Sequence, residues 1–125
     1  MGNQKYKRIN VHETTFQYDN SIVFDKTVKN GSAQVGMCVK RVSAGTVGLT
    51  TDGSEVFGKI TKVEDDGYCT IQDQGYADVP TDGAAITYTS GLIGGTVAGS
   101  VKTGTNVAVL AIDAVKTGVI IAMFK

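Results

Sequence analysis

The side chains that could carry chemistry are few in this chain of 125 residues. It contains one histidine, His12, and two cysteines, Cys38 and Cys69. Catalysis by a hydroxyl or thiol nucleophile needs a base such as histidine next to the nucleophile. His12 falls in a segment that we expect to be an arm, and no Gly-x-Ser-x-Gly motif occurs. We therefore expect no catalytic residue, and we do not expect an enzyme.

The two cysteines each lie inside a run of apolar and β-branched residues. A thiol in such a run usually packs as a small hydrophobic group. The chain has no Cys-x-x-Cys motif and no feature of an oxidising compartment. We expect reduced thiols, although the spacing alone does not decide whether Cys38 and Cys69 pair.

Two further patterns suggest a ligand site but are weak. Glu64, Asp65 and Asp66 are consecutive acids that could hold Ca²⁺, but the alternating Asp-x-Asp-x-Asp-Gly order of a calcium loop is missing. The segment 90–95 is rich in glycine, yet no Lys-Ser or Lys-Thr follows as a phosphate-binding loop requires. We interpret the acids as a solvated turn and the glycines as turn and close-packing residues. No metal and no cofactor are expected.

The elements that must position these residues are strands. Val, Ile and Thr supply 40 residues, whereas Ala and Leu supply 13. Branching at Cβ favours a pleated sheet over a helix. With 16 glycines between the apolar runs, the composition predicts an all-β fold, a small β-sandwich or barrel-like domain with an extended N-terminal arm.

We divide the chain into a flexible arm, residues 1–13, and a β domain, residues 14–125. The arm carries Lys5, Lys7 and Arg8 and has no acid before Glu13. Strands are predicted over residues 14–18, 35–42, 46–50, 55–63, 68–73, 85–89, 96–101, 107–113 and 118–124. Residues 65–67, 75–83, 91–95 and 102–104 are predicted to be turns or loops, and one helical turn is plausible near 113–117.

The charge balance argues against two classes of partner. Twelve basic and twelve acidic residues give a net charge of zero, so no general field attracts nucleic acid or an anionic membrane. Lys40, Lys59 and Lys62 could nevertheless share one strand face, which keeps a nucleic-acid-binding barrel open as an alternative. The uncharged window 83–101 is too polar for a membrane helix.

The last two predicted strands contain continuous apolar runs, 107–112 and 119–124. Such runs are typical of strands whose two faces are both covered. A subunit interface would cover the second face, and so would a central position in a two-sheet sandwich.

The arrangement of glycines and aliphatic residues in the β domain resembles a known family. Gly36-Met37-Cys38-Val39 is followed by Gly45-Thr46-Val47-Gly48-Leu49, by Val56-Phe57-Gly58-Lys59-Ile60 and by a hairpin over residues 66–72. A β-rich Val-Ala-Val-Leu-Ala-Ile run comes near the end. Over residues 20–124 this pattern is similar to the capsid decoration, or cement, proteins of tailed bacteriophages.

The resemblance implies a structural role in a virion. Such a protein would bind the outer surface of the mature capsid as a homotrimer and bridge copies of the major capsid protein, without direct contact to nucleic acid or membrane. The arm would lie along the capsid protein, so its capsid-contacting candidates are Lys5, Tyr6, Lys7, Arg8 and Ile9. Two alternatives remain: a tail or fibre component, and a β-barrel binding module for nucleic acid or a small ligand.

Overall fold

A computed structural model describes residues 11–125 of the chain. That part forms nine strands, β1 His12–Tyr18, β2 Cys38–Ser43, β3 Thr46–Leu49, β4 Gly58–Val63, β5 Tyr68–Pro80, β6 Gly91–Gly94, β7 Val101–Gly104, β8 Val109–Lys116 and β9 Val119–Phe124. The helical structure within it is one 3₁₀ turn, Lys29–Gly31. The expectation of an all-β domain is confirmed.

Five strands close into a first barrel. Antiparallel pairs join β2 to β3, β2 to β4 and β4 to β5. β1 then closes the ring, because it pairs in parallel with β3 and antiparallel with β5. Closure removes the free edges that an open sheet would expose. Eight buried side chains fill this barrel: Ile22, Val39, Val47, Leu49, Ile60, Val63, Cys69 and Ile71.

The remaining strands form a second barrel around another core. The end of β5 pairs with β9, and the order continues through β8 and β6 to β7. A parallel bridge between Thr81 and Val101 brings β7 back to the end of β5. The buried side chains of this core include Cys38, Val56, Ala77, Val79, Leu92, Val101, Val109, Ala111, Ile120, Ala122 and Phe124.

The thirteen-residue strand β5 belongs to both barrels. Residues 68–74 pair with β1 and β4, and residues 75–80 pair with β9. Gly75 lies where β5 passes from the first barrel to the second. It has a φ of +98°, a conformation that glycine adopts without strain. A Cβ at Gly75 would lie 3.1 Å from the backbone of Val11, so the lack of a side chain also lets β1 approach.

Hydrogen bonds fasten the two barrels together beyond the shared strand. The buried Thr50 hydroxyl donates to the carbonyl of Ser100 at 2.9 Å. The Gly53 amide donates to the Gly94 carbonyl at 2.9 Å, and the Cys38 amide donates to the Gly99 carbonyl at 2.8 Å. We therefore expect the two cores to act as one cooperative unit.

The prediction of a loop over residues 75–83 is wrong, because β5 continues to Pro80. Ala77 and Val79 alternate with half-buried residues, as a strand with one covered face requires. Pro80 closes the strand, where the lack of an N–H is tolerated.

The prediction is also wrong over residues 85–104, where strand and turn are interchanged. The predicted strands 85–89 and 96–101 are largely turns and loop, whereas the segments 91–94 and 101–104 form the hairpin of β6 and β7. Glycine is needed in β6 for close approach. A Cβ at Gly91 would lie 1.9 Å from the Asn106 carbonyl oxygen, and one at Gly94 would lie 2.1 Å from the Thr51 carbonyl oxygen.

Several boundaries differ from the predicted ones. β1 begins at His12, two residues before the predicted start of the β domain at residue 14. β2 begins at Cys38 instead of residue 35, and β4 at Gly58 instead of residue 55. β8 runs from Val109 through the predicted helical turn to Lys116.

The strand prediction near the C-terminus is confirmed for β9, whereas β8 begins two residues later and ends three residues later than predicted. Ile120, Ile121 and Ala122 are consecutive and buried, as an element covered on both faces requires. Val107, in contrast, precedes β8 and is 75% exposed.

Candidate interaction surfaces

The capsid-contacting candidates Lys5, Tyr6, Lys7, Arg8 and Ile9 lie outside the described residues. The structure describes where this segment joins the body: Val11 lies against Gly75, at the change from the first barrel to the second. His12 then pairs with Gln74 across β1 and β5.

His12 is part of a polar cluster on the surface of β1 and β5. Its Nδ1 lies 2.7 Å from Oδ1 of Asp73, and the Thr14 hydroxyl lies 3.4 Å from the same nitrogen. In a catalytic triad the carboxylate binds Nδ1 and the nucleophile binds Nε2. Here the carboxylate and the hydroxyl share Nδ1, so the cluster does not have the geometry of a triad. His12 and Asp73 instead link the start of β1 to the middle of β5.

Arg41 of β2 and Glu55, which precedes β4, form an ion pair. Arg41 donates from Nε to Oε2 at 2.8 Å and from a terminal nitrogen to Oε1 at 2.7 Å. Its backbone amide also donates to Oε2 at 2.9 Å. The Arg41 hydrogen bonds lower the pKa of Glu55 and raise that of Arg41. The Glu55 carboxylate thus gives a hydrogen-bond acceptor to the Arg41 amide of β2, which lies beyond the short β2–β4 pairing.

Two aromatic side chains pack next to this ion pair. The Arg41 guanidinium lies 5.5 Å from the ring centre of Phe57, within cation–π range. Phe57 packs edge-on against Phe16, with ring centres 5.3 Å apart. Both rings pack against the first core, so the ion pair and the core support each other.

A groove of about 460 Å³ runs between the barrels beside this ion pair. It is lined by Arg41, Glu55, Val56, Phe57, Asp73, Asn106, Ala108, Val109, Phe124 and Lys125. Its charged groups are of both signs, and three of them, Arg41, Glu55 and Asp73, already take part in hydrogen bonds within the chain. The groove could seat a side chain of a partner.

The acidic segment Glu64, Asp65 and Asp66 forms the turn between β4 and β5, as predicted. Asp66 accepts a hydrogen bond from the Tyr68 amide at 3.1 Å, which is a usual turn contact. The Glu64 carboxylate lies 3.8 Å from the Lys62 ammonium. Within residues 11–125, no three His, Cys, Asp or Glu side chains come together in a way that could hold a metal ion.

The two thiols are buried in different cores. Cys38 lies in the second core and Cys69 in the first, and both are free. Burial raises the pKa of Cys38 to about 12 and that of Cys69 to about 11. Because the thiolate is the nucleophile, neither side chain is reactive in the folded protein.

The three lysines of the nucleic-acid alternative do share a strand face. Lys59 is opposite Cys38 and Gln72, and Lys62 is opposite Thr70. Cys38 and Gln72, however, are buried on that face, because it is the face that the second barrel covers. Lys40 also donates to the Thr51 hydroxyl at 3.0 Å. The second barrel therefore covers part of the face that a nucleic acid strand would need.

Within the described part of the chain, no helix has the length and apolar character that crossing a membrane requires. The uncharged window 83–101 instead forms β6 and the turns that flank it. Comparisons with protein-family models, with curated proteins and with solved structures found no match to this chain.

Proposed function

We propose that this chain is a structural protein of a tailed-phage head. It binds the outer surface of the mature capsid as a homotrimer and bridges copies of the major capsid protein. The resemblance of residues 20–124 to capsid decoration proteins motivates the proposal, and the all-β fold agrees with it. The proposal involves no cofactor and no direct contact with nucleic acid or membrane.

The position of Val11, which follows the basic N-terminal segment in the chain, carries this proposal. Lys5, Lys7 and Arg8 precede Val11, which enters at the junction of two closed barrels. A β domain that carries a basic N-terminal segment can make two kinds of contact with a shell, one by the barrels and one by the segment. Three linked copies would multiply these contacts, because each later contact in a linked set is intramolecular. A ligand that binds only the mature shell stabilises that shell by mass action.

The polar groups of the body support a binding role over a catalytic one. The Arg41–Glu55 pair, the His12–Asp73 pair and Asp66 each hold a strand end or a turn. Both thiols are buried.

Quantitative mass spectrometry of purified particles tests the proposal. The copy number of this chain would be measured against that of the major shell protein. A ratio near one, with this chain released first on mild destabilisation, is expected for a protein that coats the shell. A few copies per particle would identify a tail or fibre component, and absence from the particles would refute a virion role.

Truncation tests the role of Lys5, Tyr6, Lys7, Arg8 and Ile9. The cut belongs after residue 10, because a cut after residue 13 would also remove the pairs of β1 with Gln74 and Gln72. We expect the chain lacking residues 1–10 to keep its β-sheet circular dichroism and to bind particles more weakly. A matched control replaces the exposed Lys26 and Lys29 with Glu in the full chain. Binding that is unchanged by the truncation would contradict the role of the arm.

A further inference from the structure

Val107 is the most exposed of the large apolar side chains in residues 11–125, with a relative exposure of 75%. It lies in the turn between β7 and β8. A single exposed valine is common on protein surfaces and needs no special explanation. Two features distinguish Val107 from such a residue: the turn that carries it is fixed on both sides, and a groove lies next to it.

Three contacts fix the turn that carries Val107. The Ala108 amide donates to Oδ1 of Asn106 at 3.0 Å, and the Ala108 carbonyl accepts a hydrogen bond from the Lys125 amide at 2.8 Å. On the other side, the turn packs against Gly91, where a Cβ would lie 1.9 Å from the Asn106 carbonyl oxygen. A side chain that is presented on a fixed backbone loses little conformational freedom when it binds.

The groove of about 460 Å³ between the barrels begins at the same turn, because Asn106 and Ala108 line it. Val107 lies between these two residues but does not line the groove of its own chain. Val56 and Val109 add apolar side chains to the lining. The volume is in the range of sites that hold apolar groups, so an aliphatic side chain from outside the chain fits the groove.

The charged residues of the groove favour an apolar occupant over an ion. Arg41 engages Glu55, and His12 engages Asp73, so a charged ligand would have to break pairs that already exist within the chain. The charged residues of the lining are Arg41, Lys125, Glu55 and Asp73, two of each sign. Because these charges balance, the surface does not repel a copy of itself.

A second copy of this chain supplies a suitable occupant. It presents Val107 on a fixed turn, and the groove lies on the same face as that side chain. A surface that carries both a projecting side chain and a cavity can bind copies of itself, either reciprocally about a two-fold axis or head to tail in a closed ring. A nucleic acid, in contrast, would find no excess of positive charge here.

We propose that copies of this chain associate by inserting Val107 of one copy into the groove of the next. Closed by three copies, this contact would form the subunit interface of the homotrimer. In that three-copy form the inference rests on the proposed function. The contact itself is argued from the free chain alone, and it is tested without particles.

Sedimentation velocity of the full chain over a concentration series tests the contact. The test variant is Val107→Glu, which places a charge on the projecting side chain. The matched control is Val97→Glu, at a valine that is 59% exposed in the turn between β6 and β7. Both side chains are exposed, so both variants should keep the circular dichroism of the wild type.

We expect the wild type and the Val97→Glu control to associate alike. Val107→Glu should raise the dissociation constant about tenfold or more, because an aliphatic side chain is no longer removed from water at the contact. A wild type that stays monomeric throughout the series would overturn the proposal, and so would a Val107→Glu variant that associates as well as the wild type. Equal weakening in both variants would also overturn it, because the added charge would then be the cause.

Ala108→Arg tests the groove while Val107 stays in place. We expect this variant to associate as weakly as Val107→Glu, and unchanged association would refute binding in the groove. Methyl NMR gives an independent readout on the wild type. Signals of Val56 and Val109, which line the groove, should shift between dilute and concentrated samples, whereas that of Ile60 in the first core should not. Groove signals that do not shift would refute the contact.

The outcomes separate this inference from the proposed function. A dimer that depends on Val107 would support the contact and contradict the homotrimer. Absence of this chain from particles would refute the virion role and leave the contact in place.

Discussion

Truncation of one buried side chain in either barrel should expose both native thiols to the same extent. Ile60 fills the first core and Leu92 fills the second, and neither is exposed to solvent. Replacing either residue with Ala removes buried methyl groups and leaves a cavity, which costs about 3 kcal/mol. Because about 1.4 kcal/mol is a factor of ten, the unfolded population should rise about 150-fold.

The thiols report this population directly. Cys69 is buried in the first core and Cys38 in the second. Burial raises their pKa values to about 11 and about 12, so almost no thiolate exists in the folded state at pH 8. Alkylation then requires opening, and its rate follows the open population when reclosing is fast. Peptide mapping after timed iodoacetamide treatment measures both sites in the same molecules.

Joint unfolding follows from the shared elements. β5 pairs in both barrels, and Cys38 reaches from the first barrel into the second core. We therefore expect Ile60→Ala to speed the labelling of Cys38 as much as that of Cys69, and Leu92→Ala to do the same. Labelling of one thiol that rises about 150-fold while the other stays unchanged would refute a single cooperative unit. Circular dichroism of each variant shows that it is folded before labelling.

Two further changes should alter stability in a predictable direction. Glu55→Gln should lower the free energy of unfolding by about 1 kcal/mol at pH 7. Because the folded pKa of Glu55 is lowered, its contribution is present above the unfolded pKa and disappears as the pH falls through the folded value, so the loss should be smaller at acidic pH than at pH 7. Urea midpoints at both pH values check this, with half-buried Glu64→Gln as the control; an equal loss at both would contradict the ion-pair explanation. Gly94→Ala should destabilise the protein by about 2–3 kcal/mol, because its Cβ would lie 2.1 Å from the Thr51 carbonyl oxygen. Gly118→Asn, in open space at a φ of +80°, should change the thermal midpoint little, since Asn tolerates that φ; equal shifts for both variants would show that crowding is not the cause.

Closed barrels explain how a strand-rich chain can present broad surfaces without exposing many unpaired strands. β1 closes the first barrel by pairing on both sides, and the bridge from Thr81 to Val101 returns β7 to β5. Open sheet edges invite pairing with other chains. Contacts that the two barrels make with partners would therefore involve side chains on the barrel faces.

The sequence predicted the first barrel better than the second. The turn at Asp65–Gly67 and the strands on both sides of it were predicted because polar turn residues separate two alternating runs. The prediction over residues 85–104 is wrong because glycine is a turn signal in sequence but also permits close packing within a strand. At Gly91 and Gly94 it serves close packing instead, and the backbones it packs against lie far along the chain or beyond a loop.

For the candidate sites too, local features could be predicted from the sequence and contacts between distant residues could not. The sequence indicated that Cys38 and Cys69 are buried thiols, because each lies in an apolar run. The contacts of His12 with Asp73 and of Arg41 with Glu55 were not predicted. The partners are 61 and 14 residues apart, and no local pattern fixes such a distance.

Composition and periodicity determined the all-β fold class of this protein, since β-branched residues and alternating runs are local properties of the chain. Only the tertiary structure decided that β5 serves two barrels, that the thiols occupy separate cores and that Val107 is exposed beside a groove. Each of these depends on which strands become neighbours. Strand pairing is set by the summed packing of residues distant in sequence, and a local pattern does not contain that sum.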